Sequence, residues 1–285
     1  MDRTFWRVIA NDENALPQGE WVAELAPELL SWLGSTDAEL RDEFAYRILA
    51  AWIEREQFPP DQLRDMERQM LDNLSIGLGE RDTDSVFLRS YSTLVLMEIV
   101  AHDNAHPFMA PGEAASLVDQ VVEYLRKERD LRAWVEGPGW AHAVAHTADL
   151  LMMLARNLQI GAAELERLLD GVADRLLEPS GVVFVQHEDE RLAYAALNVL
   201  RRGLVGGKAR DRWLEHFVRP SGHESWRSVH ESPSATAILA NVTSFLRSLY
   251  FQLLLTESPP PDGDEHLAAL LATLQAMDIG FYELA

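Results

Sequence analysis

The chain has no cysteine among its 285 residues. That excludes a disulfide framework, a thiol nucleophile and any metal site built on thiolates. Positive charge is also scarce: 25 lysines and arginines face 46 aspartates and glutamates, a formal net charge of −21. Nucleic acid and anionic membrane surfaces are bound through Lys/Arg footprints. Here the densest basic stretch, Arg126-Lys127-Glu128-Arg129, is diluted by acid. No nucleic-acid or membrane partner is therefore expected. Apolar runs are short as well. Leu94 to Met97 and Leu249 to Leu255 fall well below the roughly 18 residues that cross a bilayer. Residues 1–7 lack the apolar stretch of a secretory signal. A cytoplasmic protein is the expectation.

What is present is ordinary for a globular fold: 47% apolar and 25% charged residues. After an irregular segment over 1–19, the apolar residues recur at helical period, and Gly, Pro and Asn/Asp clusters punctuate them. Trp21, Leu25, Leu29 and Trp32 mark a first, capping helix that stops at Gly34. The helices after it alternate between two kinds. Those over 37–57, 84–101, 139–156, 188–202 and 235–255 are apolar around most of their circumference. Those over 61–75, 113–129, 162–178, 209–218 and 264–277 carry one charged face. The first kind reads as buried and the second as its outer cover. Starts within each kind recur at about 50 residues, a little longer than the roughly 40–47 of HEAT and armadillo repeats. The expected fold is all-α: one domain over 1–285, a superhelical stack of about five antiparallel helical hairpins forming a HEAT/armadillo-like arc or an incomplete α/α ring. The run Val182 to Val185 alone resembles a strand, and the stretch Pro220 to Pro233 reads as a break.

Several signatures are missing: there is no G-x-S-x-G elbow and no G-x-G-x-x-G. Gly206-Gly207-Lys208-Ala209 is not a phosphate loop. His102 and His106 run into Pro107 and read as a helix-end pair. The concentrated signal lies between Gly139 and Leu151. There His142, His146 and Asp149 stand at i, i+4 and i+7, on one face of a helix. Burying three ionisable groups is costly unless they are bonded or meet water. Three readings stay open: a satisfied core network, a metal-free polar cleft, or a metal site. His-x-x-x-His matches metal spacing with Asp149 as a third ligand, although Ala143 stands where a zinc protease carries glutamate. Polar stripes also mark the other buried helices: Arg89 with Ser92 and Thr93; Arg191 with Tyr194 and Asn198, preceded by Glu188; Arg247 with Thr243 and Tyr250. Taken alone, each arginine reads as structural, paired with a carboxylate between helices. Together they would line a concave polar surface, and an arginine fork suits carboxylate or phosphate.

Four ordered motifs add a resemblance: Ser85 to Ser92, Asp130 to Leu151, Glu188 to Ala193 and Phe245 to Phe251. Together they resemble the bacterial family known as domain of unknown function 2785, over about residues 80–255. The resemblance implies a helical, single-domain bacterial protein and brings no activity, substrate or cofactor with it. Its motif positions include Arg89, Trp140, His142, His146, Asp149, Glu188, Arg191, Arg247 and Tyr250, the same residues that form the expected cleft. The leading expectation is a helical-repeat binding module for a small anionic or polar ligand or a peptide, without a cofactor. The first alternative is a hydrolase-like enzyme holding a zinc-like divalent metal on His142, His146 and Asp149. The second is a scaffold for a protein partner.

Overall fold

The computed structural model describes residues 1–219 and 225–280. These are helical almost throughout, and the one sheet among them is a two-residue antiparallel ribbon pairing Trp134 with Trp140 and Val135 with Gly139. Val182 to Val185 form no strand. A side-chain amide takes the place of a partner strand: Asn241 accepts from the Phe184 N–H at 2.8 Å and donates to the Val182 carbonyl at 2.9 Å. The chain divides into two compact units, Met1–Pro111 with Lys127–Met153, and Gly112–Arg126 with Leu154–Ala285.

The first unit opens with α1 (Arg3–Asn11), inside the segment expected to be irregular. Asp2 caps it by accepting from the Phe5 N–H, and Trp6 and Ile9, one turn apart, supply a buried face. Trp6 packs edge-on against Trp32 of α2 (Val22–Trp32), with ring centroids 5.7 Å apart. The helix expected over 37–57 is two segments: a π-helix over Glu39–Tyr46, then α3 (Arg47–Glu54). A π-helix pairs i with i+5, which brings residues five apart onto one face. Here those residues include Arg41 and Tyr46. α4 (Pro60–Asn73) buries Leu63, Met66 and Met70 at helical spacing against α5 (Ser85–Ala105). α5 is buried nearly all round, polar residues included.

In the second unit the helices are α6 (Glu113–Lys127), α8 (Ala162–Leu177), α9 (Glu188–Arg201), α10 (Gly207–Val218), α11 (Pro233–Leu255) and α12 (Gly263–Ala276). α7 (Ala143–Arg156) runs from the first unit into the second. α9 packs along α11, while α10 packs on α8 and α12. Trp213, Phe217 and Phe245 form an aromatic cluster in this core, and burying such side chains contributes about 1.5–3 kcal/mol each. α6 and α8 meet at Gly171, where a Cβ would lie 3.0 Å from a Val122 methyl. Of the break expected over 220–233, residues 220–224 lie outside the described residues, and Trp226–Glu231 form a 3-10 turn. α11 is the one helix among the described residues long and apolar enough to cross a bilayer. The core helix of a soluble protein passes the same test, and Val242, Phe245, Leu246 and Leu249 are buried in this one.

Candidate functional site

The first unit gathers its chemistry around the loop that leads into α7. Gly137 and Gly139 both take positive φ, +91° and +89°, and fold the chain back at Pro138 so that Trp140 returns beside Trp134. The ribbon continues through Ala141 and His142, whose N–H groups donate to the carbonyls of Ala133 and Arg132. This pairing delays the helix. His142, expected inside a helix beginning near Gly139, instead sits just ahead of α7 in a left-handed conformation, φ +50°. Its carbonyl accepts the first helical bond, from the His146 N–H at 2.9 Å.

The rings then form a continuous chain. Trp134 meets Trp140 edge-on at 4.9 Å, and the Trp140 indole stacks on the His142 imidazole at 4.3 Å and 23°. His142 meets His146 edge-on at 5.7 Å, His146 meets Tyr91 at 5.3 Å, and Tyr91 meets Tyr46 at 6.2 Å. The indole of Trp140 remains 36% exposed, while both imidazoles are 7% exposed. His146 Nδ1 lies 2.8 Å from the Ser90 hydroxyl, which also donates to the Ala141 carbonyl. The π-segment supplies the floor. Arg41, fully buried, sits over the Phe87 and Tyr91 rings at 4.4 and 4.8 Å and donates to the carbonyls of Pro138 and Ser35.

Carboxylates border this chain of rings. Tyr46 donates to Glu98 at 2.9 Å. Burial raises the Glu98 carboxyl above the usual range, the Tyr46 bond pulls it back, and the charges of Glu54 and Asp149 push it further up. Burial also drives both phenols well above their ordinary value, helped by Glu98 at Tyr46 and by Asp42 at Tyr91. Both tyrosines are therefore neutral donors at physiological pH. Asp149 is half-buried on α7, one turn beyond His146.

The residues expected to share one cleft fall into both units. In the first, Trp140, His142 and His146 are in contact, with Asp149 on the next turn. Arg89 is engaged elsewhere: fully buried, it grips both Glu128 oxygens at 2.6 and 2.9 Å and donates to Ser85 and the Ile76 carbonyl. In the second, Glu188 is buried in the first turn of α9 and accepts from the Gln186 N–H, and Arg191 follows on the same helix. Arg247 is exposed on α11, and Tyr250, half-buried, lies edge-on to Phe251. Among the described residues, no three His, Asp or Glu side chains are grouped to hold a metal ion. The expected His142, His146 and Asp149 ligand set is thus not assembled among the described residues, although the two imidazoles remain one turn apart with ring centroids at 5.7 Å.

Five contributors escaped the sequence reading: Ser90, Tyr91, Arg41, Tyr46 and Glu98. Ser90 and Tyr91 lie within the motif Ser85 to Ser92, and their apolar surroundings on α5 are the one signal that marks them. The protein family described as "protein of unknown function (DUF2785)" matches residues 74–251, which include α5, the ribbon, both histidines and most of α11. No curated protein and no solved structure matches the chain. With more than half its length covered, the chain belongs to the DUF2785 family of proteins of unknown function.

Proposed function

We propose that the protein is a helical-repeat binding module whose first unit holds a small polar, planar ligand against Trp140. The observation that carries this reading is the Trp140–His142 stack, in which one face of an indole is fixed by a buried imidazole while the residue stays 36% exposed. A rigid aromatic surface offers contact area at little entropic cost. His146, Tyr46 and the half-buried Glu98 and Asp149 supply hydrogen-bonding groups nearby. The ligand favoured here is neutral or cationic rather than anionic, because Arg89 is spent on Glu128 and Arg41 is fully buried against the Phe87 and Tyr91 rings and paired with Asp42.

The test is a fragment screen read on the indole resonances of tryptophan-labelled protein. Planar polar fragments are expected to shift the Trp140 signal, and His142→Ala should abolish the response while the melting temperature stays within a few degrees. Fragments that bind equally well to His142→Ala, or that shift other indoles, would overturn the reading. A protein partner is the second reading, favoured by the exposed apolar end of α11: Phe251 at 55%, Leu254 at 51% and Leu255 at 75%. Charged substitutions there should abolish complex formation in that case and leave the Trp140 response intact.

A further inference from the structure

A separate cluster in the second unit involves arginines that have no acidic partner among the described residues. Seven arginines of this acidic chain, Arg3, Arg7, Arg47, Arg68, Arg126, Arg167 and Arg212, are neutralised by carboxylates at the surface. Arg156, at the end of α7, and Arg201, at the end of α9, differ. Neither has a carboxylate within 4.0 Å among the described residues. Their partners are neutral. Arg156 donates to the Asn198 amide oxygen at 2.8 Å and to the Tyr194 hydroxyl at 3.2 Å. Arg201 donates to the Ser258 carbonyl at 3.1 Å and to the Thr256 hydroxyl at 2.7 Å. Asn198 is itself fixed by donating to the Tyr194 carbonyl at 2.7 Å.

Both guanidiniums converge on one exposed phenol. Their central carbons lie 5.8 and 5.7 Å from the centroid of the Tyr194 ring, which is 38% exposed. Neutral acceptors hold a guanidinium in place without cancelling its charge. The cluster therefore keeps two positioned positive charges and a hydroxyl facing solvent. In a chain with a net charge of −21 this is a local exception, and at physiological ionic strength it acts locally, since screening limits the surrounding acidic field to about 8 Å. The phenol registers that charge: hydrogen bonding to Arg201, and the fields of Arg156 and Arg201, hold it below the ordinary tyrosine value.

We propose that Arg156, Arg201 and Tyr194 form a binding site for a phosphate-type dianion, carried by a small phosphorylated molecule or as free phosphate. Two guanidiniums suit an oxyanion with several acceptor oxygens and two charges, and the phenolic hydroxyl adds a third donor. A monoanionic carboxylate would use the same donors less fully. The site involves none of the residues around Trp140, so it stands or falls independently of that reading.

The experiment is a titration of tyrosine-ring-labelled protein, followed by NMR, at pH 7.5 and constant ionic strength. Tyr194→Phe assigns the Tyr194 resonance by its loss. Inorganic phosphate should shift that resonance saturably, and phenyl phosphate at least as strongly. Acetate should bind about tenfold or more weakly, as should phosphate to Arg156→Gln and to Arg201→Gln. Bound dianion should also raise the pH at which Tyr194 ionises, because it offsets the two guanidiniums. Phenyl phosphate binding that far exceeds phosphate identifies an ester ligand; equal binding identifies the bare ion. A response in wild-type protein that never saturates would overturn the proposal without recourse to any variant. So would acetate binding as tightly as phosphate, or saturable binding unchanged in both glutamine variants.

Discussion

Ser90 holds His146 in one tautomer. Its hydroxyl lies within hydrogen-bond reach of both the Ala141 carbonyl and His146 Nδ1. A carbonyl can only accept, so the hydroxyl proton points at Ala141 and the bond to the imidazole must be donated by Nδ1–H. Neutral His146 then carries its lone pair on Nε2. Nitrogen-15 NMR of labelled histidine should show the Nδ1–H form of His146, and the opposite tautomer would disprove the assignment. Ser90→Ala removes a donor to a buried carbonyl and an acceptor for a buried imidazole. It should cost about 1–3 kcal/mol in urea unfolding and release the tautomer preference.

The Arg89–Glu128 pair makes a second prediction. Both side chains are buried, and Glu128 additionally accepts from the N–H groups of Arg129 and Asp130. Removing one partner strands the other charge in the interior, so Arg89→Met or Glu128→Leu alone should each cost about 3–5 kcal/mol. An apolar replacement of both, Arg89→Met with Glu128→Leu, should cost distinctly less than the sum of the single changes. Chemical denaturation of the four proteins in the cycle decides this, and strictly additive losses would show that the pair is not coupled.

Glu98 should make stability fall as pH rises. Burial holds its folded carboxyl above the ordinary value, so the folded protein binds the proton more tightly than the unfolded chain does. The stabilisation is complete below the unfolded value near 4.5 and is lost as pH climbs through the raised native one. Glu98→Gln should flatten this part of the stability–pH curve. Tyr46→Phe removes the bond that pulls the carboxyl down, so the decline should deepen and extend to higher pH. An identical profile in all three proteins would exclude Glu98 as its source.

The helices were readable wherever apolar period and punctuation agreed. The starts of α8, α9 and α12 follow from Gly161, the acidic Glu188-Asp189-Glu190 turn and Gly263. Arg89 paired with a carboxylate is also what a buried arginine between helices leads one to expect. The failures share a physical cause: contacts distant in sequence overrode local pattern. Pairing Trp140 with Trp134 moved the start of α7 from about Gly139 to Ala143 and left His142 outside it. The π-segment is invisible to a search for 3.6-residue period, yet it turns Arg41 and Tyr46 toward Tyr91. α1 was missed because a polar opening conceals a single buried stripe, Trp6 and Ile9. Within the site, Ser90 and His146 are 56 residues apart, and Tyr46 and Glu98 are 52 apart. No spacing rule connects positions so distant.

Gly171 offers a test of packing against propensity. Alanine in a helix interior is worth about 1 kcal/mol over glycine. At Gly171, however, the added methyl would lie 3.0 and 3.2 Å from the two methyls of buried Val122. A β-branched side chain in a full core has little room to yield, and overpacking costs about 1–3 kcal/mol. Gly171→Ala should therefore destabilise, and adding Val122→Ala should recover part of the loss. Thermal unfolding of the double variant below both singles would refute the steric account.

His142 carries two constraints at once. Its backbone lies in the left-handed region, which glycine and asparagine enter readily and β-branched residues scarcely at all. Its side chain must present a flat ring to Trp140 at stacking distance. Glycine or asparagine would satisfy the backbone and lose the stack. Phenylalanine or tyrosine would restore a ring at the expense of backbone strain. Histidine is the residue that meets both demands, so chain geometry and ring stacking together shrink the alphabet open to this position close to a single letter.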